Sequence, residues 1–256
     1  MQYTVTQRIK AINQPNEGYL PISSFTVKHY QDNKTLHLKE NIRANYIGLA
    51  VDYLTRYKIT KNIEEAFDIS LLGAKILYQQ YGRYKDYQHC LKLLDLIIKG
   101  NTSAAVQLVA YDEVYRAGII NIPKLIPDKN SIDNIEVMVQ RGVDFLHHCS
   151  SFVKTGINLD GSYTNIVVNG DIDYLTNNAL IDFKVIRGEI TNNHTLQILM
   201  YYIMGLRSIH SEDFKKVKWL ALFNPRKNMV YFINTNHIPK SVIDEVSEKV
   251  IGYSPN

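Results

Sequence analysis

Hydrophobic positions along this chain follow two periods. Over residues 44–57, 63–81, 87–98, 103–117 and 131–148 apolar side chains recur every three to four residues, the spacing of an amphipathic helix. Gly100-Asn101-Thr102-Ser103 and the stretch 123–127, with a proline at each end, interrupt these windows as loops. From Phe152 onward the character changes to strands. Residues 165–174 alternate, with Val168, Ile172 and Tyr174 on one side and Asn169, Asp171 and Asp173 on the other. Residues 179–185 repeat the pattern, with Ile181, Phe183 and Val185 opposed by Asp182 and Lys184. Asn177-Asn178 between them suits the left-handed conformations of a tight two-residue hairpin turn. A helical run through Tyr201 follows, then strands over 217–223 and 229–233 around the Asn224-Pro225-Arg226-Lys227-Asn228 turn, and a closing helix over 241–251. There is no internal repeat and no low-complexity segment. Helix, hairpin, helix, hairpin around one mixed sheet is an α/β arrangement, with a mainly helical region over 1–150 and a strand-rich core over 151–256.

Composition changes this picture little. A chain of 256 residues, 45% of them hydrophobic, can bury a real core in one domain or in one domain plus a lobe. No apolar run approaches the ~20 residues that span a bilayer, so no membrane partner is expected. The N-terminal residues lack the apolar core of a secretory signal, and two cysteines suit a reducing cytoplasm. A net charge of +4 permits nucleic-acid binding without arguing for it. Eighteen tyrosines offer rings for stacking on bases or for packing at interfaces.

The hairpin carries the chemistry. Counting outward from Asn177-Asn178 pairs Thr176 with Ala179, Leu175 with Leu180, Tyr174 with Ile181 and Asp173 with Asp182, then Ile172 with Phe183 and Asp171 with Lys184. Directly opposed side chains lie roughly 5 Å apart, and like charges there destabilise a sheet. An Asp opposite an Asp therefore calls for a compensating cation, and a hard divalent ion such as Mg²⁺ or Mn²⁺ takes carboxylate oxygens as its natural ligands. Asp171 opposite Lys184 reads better as a surface ion pair worth under ~1 kcal/mol than as a metal ligand, which leaves Asp171 a secondary candidate.

These residues resemble the PD-(D/E)xK nuclease superfamily, in particular its RecB-like branch. Gly170-Asp171-Ile172-Asp173 matches the family's second motif, Ile181-Asp182-Phe183-Lys184-Val185 its Asp-x-Lys strand, and Gln197-Ile198-Leu199-Met200-Tyr201 its Gln-x-x-x-Tyr helix, in the family's order and spacing. The likeness covers residues 165–206, with an echo near Gly48, where Asp52 stands in place of the family's histidine and can still offer an oxygen ligand. The resemblance implies a restriction-endonuclease-like core with a central mixed sheet, beside the predominantly helical N-terminal lobe. It implies a divalent-metal-dependent nuclease acting on DNA, with Asp173, Asp182, the Phe183 carbonyl and Asp52 as metal ligands. Lys184 would then act on the attacking water, Gln197 would contact the nucleic-acid backbone or the edge of the site, and Tyr201 would orient Lys184. Two alternatives remain open: a catalytically inactive nuclease-like fold that binds nucleic acid or a protein partner, and a nuclease directed at RNA.

Other groups read more plainly. Gln107-Leu108-Val109-Ala110-Tyr111 repeats the Gln-x-x-x-Tyr spacing with no Asp-x-Lys strand before it, and is expected to be ordinary helix. His147, His148 and Cys149 are adjacent, point in different directions on a helix and suit the negative end of its dipole. Lys215, Lys216, Lys218, Arg226 and Lys227 form a basic group around the second hairpin, expected either as a solvated face or as phosphate contacts.

Overall fold

The structure is a computed structural model and describes residues 2–254. It divides into two compact units, one made of residues up to 31 together with those from 146 onward, the other of residues 32–145. The expected boundary at residue 150 therefore misassigns the first 31 residues, which belong with the strands. They supply β1 (Tyr3–Thr4), α1 (Val5–Lys10) and β2 (Thr26–His29). The Thr4 hydroxyl accepts the Gln7 N–H while the Gln7 side chain accepts the Thr4 N–H, a reciprocal cap that fixes the start of α1. Arg8 on α1 donates to the carbonyls of Lys249 and Val250, 2.8 Å each, so this short helix is tied to the far end of the chain.

Residues 32–145 hold α2 (Ala44–Thr60), α3 (Ile63–Ala66), α4 (Asp68–Tyr81), α5 (Tyr84–Ile98), α6 (Thr102–Leu108) and α7 (Asp112–Ala117), followed by α8 (Lys129–Cys149), which returns the chain to the first unit. Two expected helices are each split. Residues 63–81 break at Phe67, whose ring is wholly buried and meets Tyr53 edge-on at 5.4 Å. Residues 103–117 break at a 3₁₀ turn, Val109–Tyr111. That turn's Tyr111 carbonyl presses so closely on Gly73 of α4 that any Cβ there would overlap it. A buried carboxylate sits inside this unit. Asp112 accepts the hydroxyls of Tyr53 at 2.6 Å and Ser70 at 2.5 Å and pairs with Arg116, which satisfies a charge that burial would otherwise penalise.

The strand unit continues with β3 (Val153–Asn158), β4 (Val167–Asn169), β5 (Asp171–Thr176), β6 (Ala179–Phe183), α9 (Asn192–Gly205), α10 (Ser211–Phe214), β7 (Trp219–Asn224), β8 (Met229–Asn234) and α11 (Lys240–Glu245), the last running on through a π-helical stretch, Val246–Ile251. Six strands form one mixed sheet in the order β2-β8-β7-β6-β5-β3, while β1 and β4 pair separately and in parallel. Within the six-stranded sheet only β6 and β7 run parallel, and α9 is their crossover. Leu196, Leu199, Met200 and Ile203 of α9 share one core with Leu175, Leu180, Leu220 and Leu222 of the sheet. Every residue of β6 is buried, as expected of a central strand covered on both faces. The protein is thus α/β with a mixed sheet, and no helix among the described residues is long and apolar enough to cross a membrane.

Candidate active site

The site lies where β5 and β6 part. Leu175 pairs with Leu180 and Tyr174 with Ile181, as expected, and there the ladder ends. Asp173 and Asp182, Ile172 and Phe183, and Asp171 and Lys184 do not pair. The reason is a change of partner. Beyond Tyr174, β5 stays with β3, where Ile172 meets Ile157 and Asp171 meets Asn158. β6 stays with β7, and the Lys184 N–H donates to the Phe223 carbonyl at 2.8 Å. In the notch between them, Asp173 Oδ2 accepts the Phe183 N–H at 2.9 Å, so a side chain takes over from the ladder. Alternation from the Leu175–Leu180 pair still puts Asp173 and Asp182 on one face of the sheet.

The turn also differs from expectation. Neither Asn177 nor Asn178 has a positive φ. The Thr176 hydroxyl accepts the Ala179 N–H at 2.9 Å and closes the hairpin instead. Left-handed backbone belongs to the other turn, at Asn228, where φ is 50°.

Asp182 is 3% exposed, and its Oδ2 lies 2.5 Å from Lys184 Nζ. A two-residue offset puts both side chains on one strand face, which is why an Asp-x-Lys pair can meet. The same ammonium donates to Gln197 Oε1 at 2.8 Å, and Gln197 Nε2 donates to the Tyr201 hydroxyl at 2.9 Å. Gln197 and Tyr201 are one turn apart on α9, which lies against β6 and β7. The Tyr201 phenol is pushed well above its ordinary pKa, first by burial and then by the charges of Asp182, Asp173 and Asp171. Gly170 gives this ring its seat: a Cβ there would lie 3.2 Å from Tyr201 Cε1 and 2.8 Å from Val5 Cγ2. The expected Asp171–Lys184 ion pair does not form, since Lys184 turns to Asp182 and Gln197.

Sequence reasoning missed His194. In the first turn of α9 its Nδ1 accepts the Thr191 N–H at 3.0 Å, the capping position that Glu or Gln usually fills. That bond leaves the ring proton on Nε2. Burial and then the Lys184 charge lower its pKa to about 4, so the imidazole is neutral near pH 7. Its position three residues before Gln197, on the same helix face, was the available signal.

The basic group is not one surface. Lys218 donates its N–H to the Asn178 carbonyl at 2.7 Å, beside the tip of the first hairpin. Lys215 and Lys216 precede it and pair with Glu212 and Asp213. Arg226 and Lys227 follow β7, at the end where β6 carries Asp182 and Lys184, and Lys227 pairs with Glu189. A strand of six residues spans roughly 17–20 Å and separates the two sets. Asp52 lies on α2, where the Arg56 side chain holds both carboxylate oxygens, at 2.8 and 3.2 Å. His148 at the end of α8 packs edge-on to Tyr30 at 6.1 Å, and burial raises the Cys149 thiol to a pKa of about 11.

Among the described residues no group of three or more His, Cys, Asp or Glu side chains is arranged to hold a metal ion. Two carboxylates on one face do fit a hard ion of the Mg²⁺ type, which binds through one or two carboxylates and completes its shell with water and phosphate oxygens. They do not fit a soft-ligand site. No family model, no curated protein and no solved structure matches the chain. The functional reading stands on these side chains.

Proposed function

We propose that this protein is a divalent-metal-dependent nuclease with a restriction-endonuclease-like core, hydrolysing DNA phosphodiester bonds. One observation carries the reading: Lys184 Nζ joins the Asp182 carboxylate of the strand to Gln197 of the crossover helix, with Asp173 on the same face. Carboxylates, an ammonium and an amide from three elements are thereby drawn together on the face of the sheet that α9 covers. An ordinary surface ion pair would be exposed, whereas the side chains of Asp182 and Lys184 are only 4% and 12% accessible.

Asp173 and Asp182, with the Phe183 carbonyl, would hold Mg²⁺ or Mn²⁺. Bound there, the ion would lower the pKa of a ligated water and offset charge on the scissile phosphate. Lys184 would orient the attacking water. Gln197 fixes the ammonium by accepting from it, and Tyr201 fixes Gln197 by accepting from its amide. The reading does not draw on Asp52, whose carboxylate is engaged by Arg56. That engagement favours a second reading, a nuclease-like fold that binds nucleic acid without cutting it.

The deciding experiment is cleavage of linear, circular and single-stranded DNA and of RNA with saturating Mn²⁺, alongside Asp182→Asn, with thermal melts of both proteins. Cleavage by the wild type, its loss in Asp182→Asn, and a Mn²⁺-dependent rise in melting temperature only in the wild type are expected. A site held at a hundred times its Kd stabilises by about 2.7 kcal/mol. A folded wild type that cuts nothing and melts at the same temperature with Mn²⁺ would overturn the nuclease in favour of the inactive fold.

A further inference from the structure

The corner between α4 and α5 carries four tyrosines in ten residues. Tyr78 and Tyr81 occupy the last turn of α4, and Tyr84 and Tyr87 the first turn of α5, each pair three apart and so on one helix face. Gly82 joins the helices with a φ of 65°, the left-handed cap that lets them turn back at once. Tyr78 stacks on Tyr87 at 5.7 Å with planes 21° apart, and meets Tyr84 at 5.5 Å. The rings are nonetheless open to solvent: Tyr78 is 43% exposed, Tyr84 51% and Tyr81 52%. Gln88 donates to the Tyr84 hydroxyl at 2.7 Å and holds that ring in place.

Cations alternate with the rings along the sequence. Between residues 75 and 92 stand Lys75, Arg83, Lys85 and Lys92 against a single acid, Asp86. Arg83 is braced by both Asp86 oxygens, at 2.9 and 3.0 Å, and by the Ile120 carbonyl. Lys75, Lys85 and Lys92 are exposed and make no ion pair among the described residues. Apolar docking faces for proteins are depleted in lysine. Open rings interleaved with unpaired ammonium groups match a polyanion whose flat bases are free to stack. In a duplex those faces are already stacked, so the complementary ligand is single-stranded.

We infer that the α4–α5 corner is a single-stranded nucleic-acid binding platform, with Tyr81 and Tyr84 stacking on bases and Lys75, Lys85 and Lys92 contacting phosphates. It rests on the nuclease reading only for the choice of nucleic acid as ligand, and it gives that reading a substrate class: DNA with an unpaired stretch. Stacking tolerates any base, so binding is indifferent to sequence. The lysine contacts make it weaken steeply with salt.

The test is fluorescence anisotropy of a labelled 20-nucleotide oligo(dT) with the full chain in EDTA, where no cleavage occurs. Tyr81→Ala/Tyr84→Ala should bind at least about tenfold more weakly than the wild type. Tyr81→Trp/Tyr84→Phe, which keeps the rings, should bind like the wild type. Thermal melts establish that each variant is folded. Equal binding by wild type and the double-alanine variant overturns the platform. So does a double-alanine variant that alters only self-association in sedimentation, which would make the corner a protein interface. Failure of the cleavage assay with oligo(dT) binding and its ring dependence intact sinks the nuclease and leaves the platform standing.

Discussion

Gln107–Tyr111 and Gln197–Tyr201 both spell Gln-x-x-x-Tyr, and these two copies keep different company. On α9, Gln197 spans from the Lys184 ammonium to the Tyr201 hydroxyl. The first copy does not stay in one α-helix: Gln107 is in α6 and Tyr111 closes the 3₁₀ turn. Among the described residues Gln107 reaches Ser103, at 3.4 Å, and the Tyr111 hydroxyl the Asp86 carbonyl, at 3.5 Å. Burial raises both phenols, yet Tyr201 feels three carboxylates of the acidic hairpin, while Tyr111 feels Cys90 and Asp86 with Arg83 opposing them. The two residue types and their spacing are the same. What differs is the strand it meets, and that strand supplies the charge.

Substitution can break this contrast, and the largest effect should come at its charged partner. Lys184→Ala is expected to lower the cleavage rate by about 10³-fold under saturating Mn²⁺, while the Mn²⁺ shift in melting temperature persists. A wild-type rate in that variant would remove Lys184 from the mechanism. Buried acids in the two units should separate function from stability. Asp112 is held by Tyr53, Ser70 and Arg116 and serves the helical unit alone. Asp112→Ala should cost about 3 kcal/mol in urea unfolding without changing the rate per folded molecule; a loss of rate with stability unchanged would make Asp112 a functional group.

The glutamines sharpen the comparison. Gln197→Leu removes the acceptor that fixes Lys184 and should slow cleavage roughly 10- to 100-fold, the usual cost of losing an outer-shell partner. Gln107→Leu should stay within about 0.5 kcal/mol in stability and within error in rate. Equal responses would show that the helix motif, and not its strand, matters. A last effect, on stability alone, concerns His194. Its pKa falls from 6.5 unfolded to about 4 folded, so the unfolded chain binds more protons between these values. That stability is fully present above pH 6.5 and is lost as the pH falls through the window. His194→Gln, which can still cap α9, should flatten the melting temperature between pH 6.5 and 4. An unchanged slope would show that the imidazole titrates normally.

What could be read from the residues depended on how local it was. Asp182 and Lys184 are two apart on a strand, Gln197 and Tyr201 four apart on a helix, so strand and helix periods alone put each pair on one face. The long helices α2, α5 and α8 announced themselves by period, within three residues at each end. β2 was invisible: Thr26–His29 are all exposed at the sheet edge, so no alternation marks them, and their partners are Met229–Phe232. α1 buries only Val5 and Ile9, too few positions to show a period. The turn misled because Asn suits a left-handed backbone, while the Thr176 hydroxyl, a side-chain acceptor, supplied the closure. The five basic residues looked like one group because sequence distance hides the length of β7.

The pairing of β2 with β8 has a consequence for how the molecule is made. A ribosome releases the helical residues 32–145 with all their mutual partners present, and that unit can begin to fold while synthesis continues. Thr26–His29, emerging earlier, must wait for Met229, and α1 waits longer still for the carbonyls of Lys249 and Val250. The nascent chain therefore carries an unpaired edge until Met229–Phe232 have been made, in a segment whose exposed polar and charged side chains, Thr26, Lys28 and His29, keep it from adhering to a neighbour.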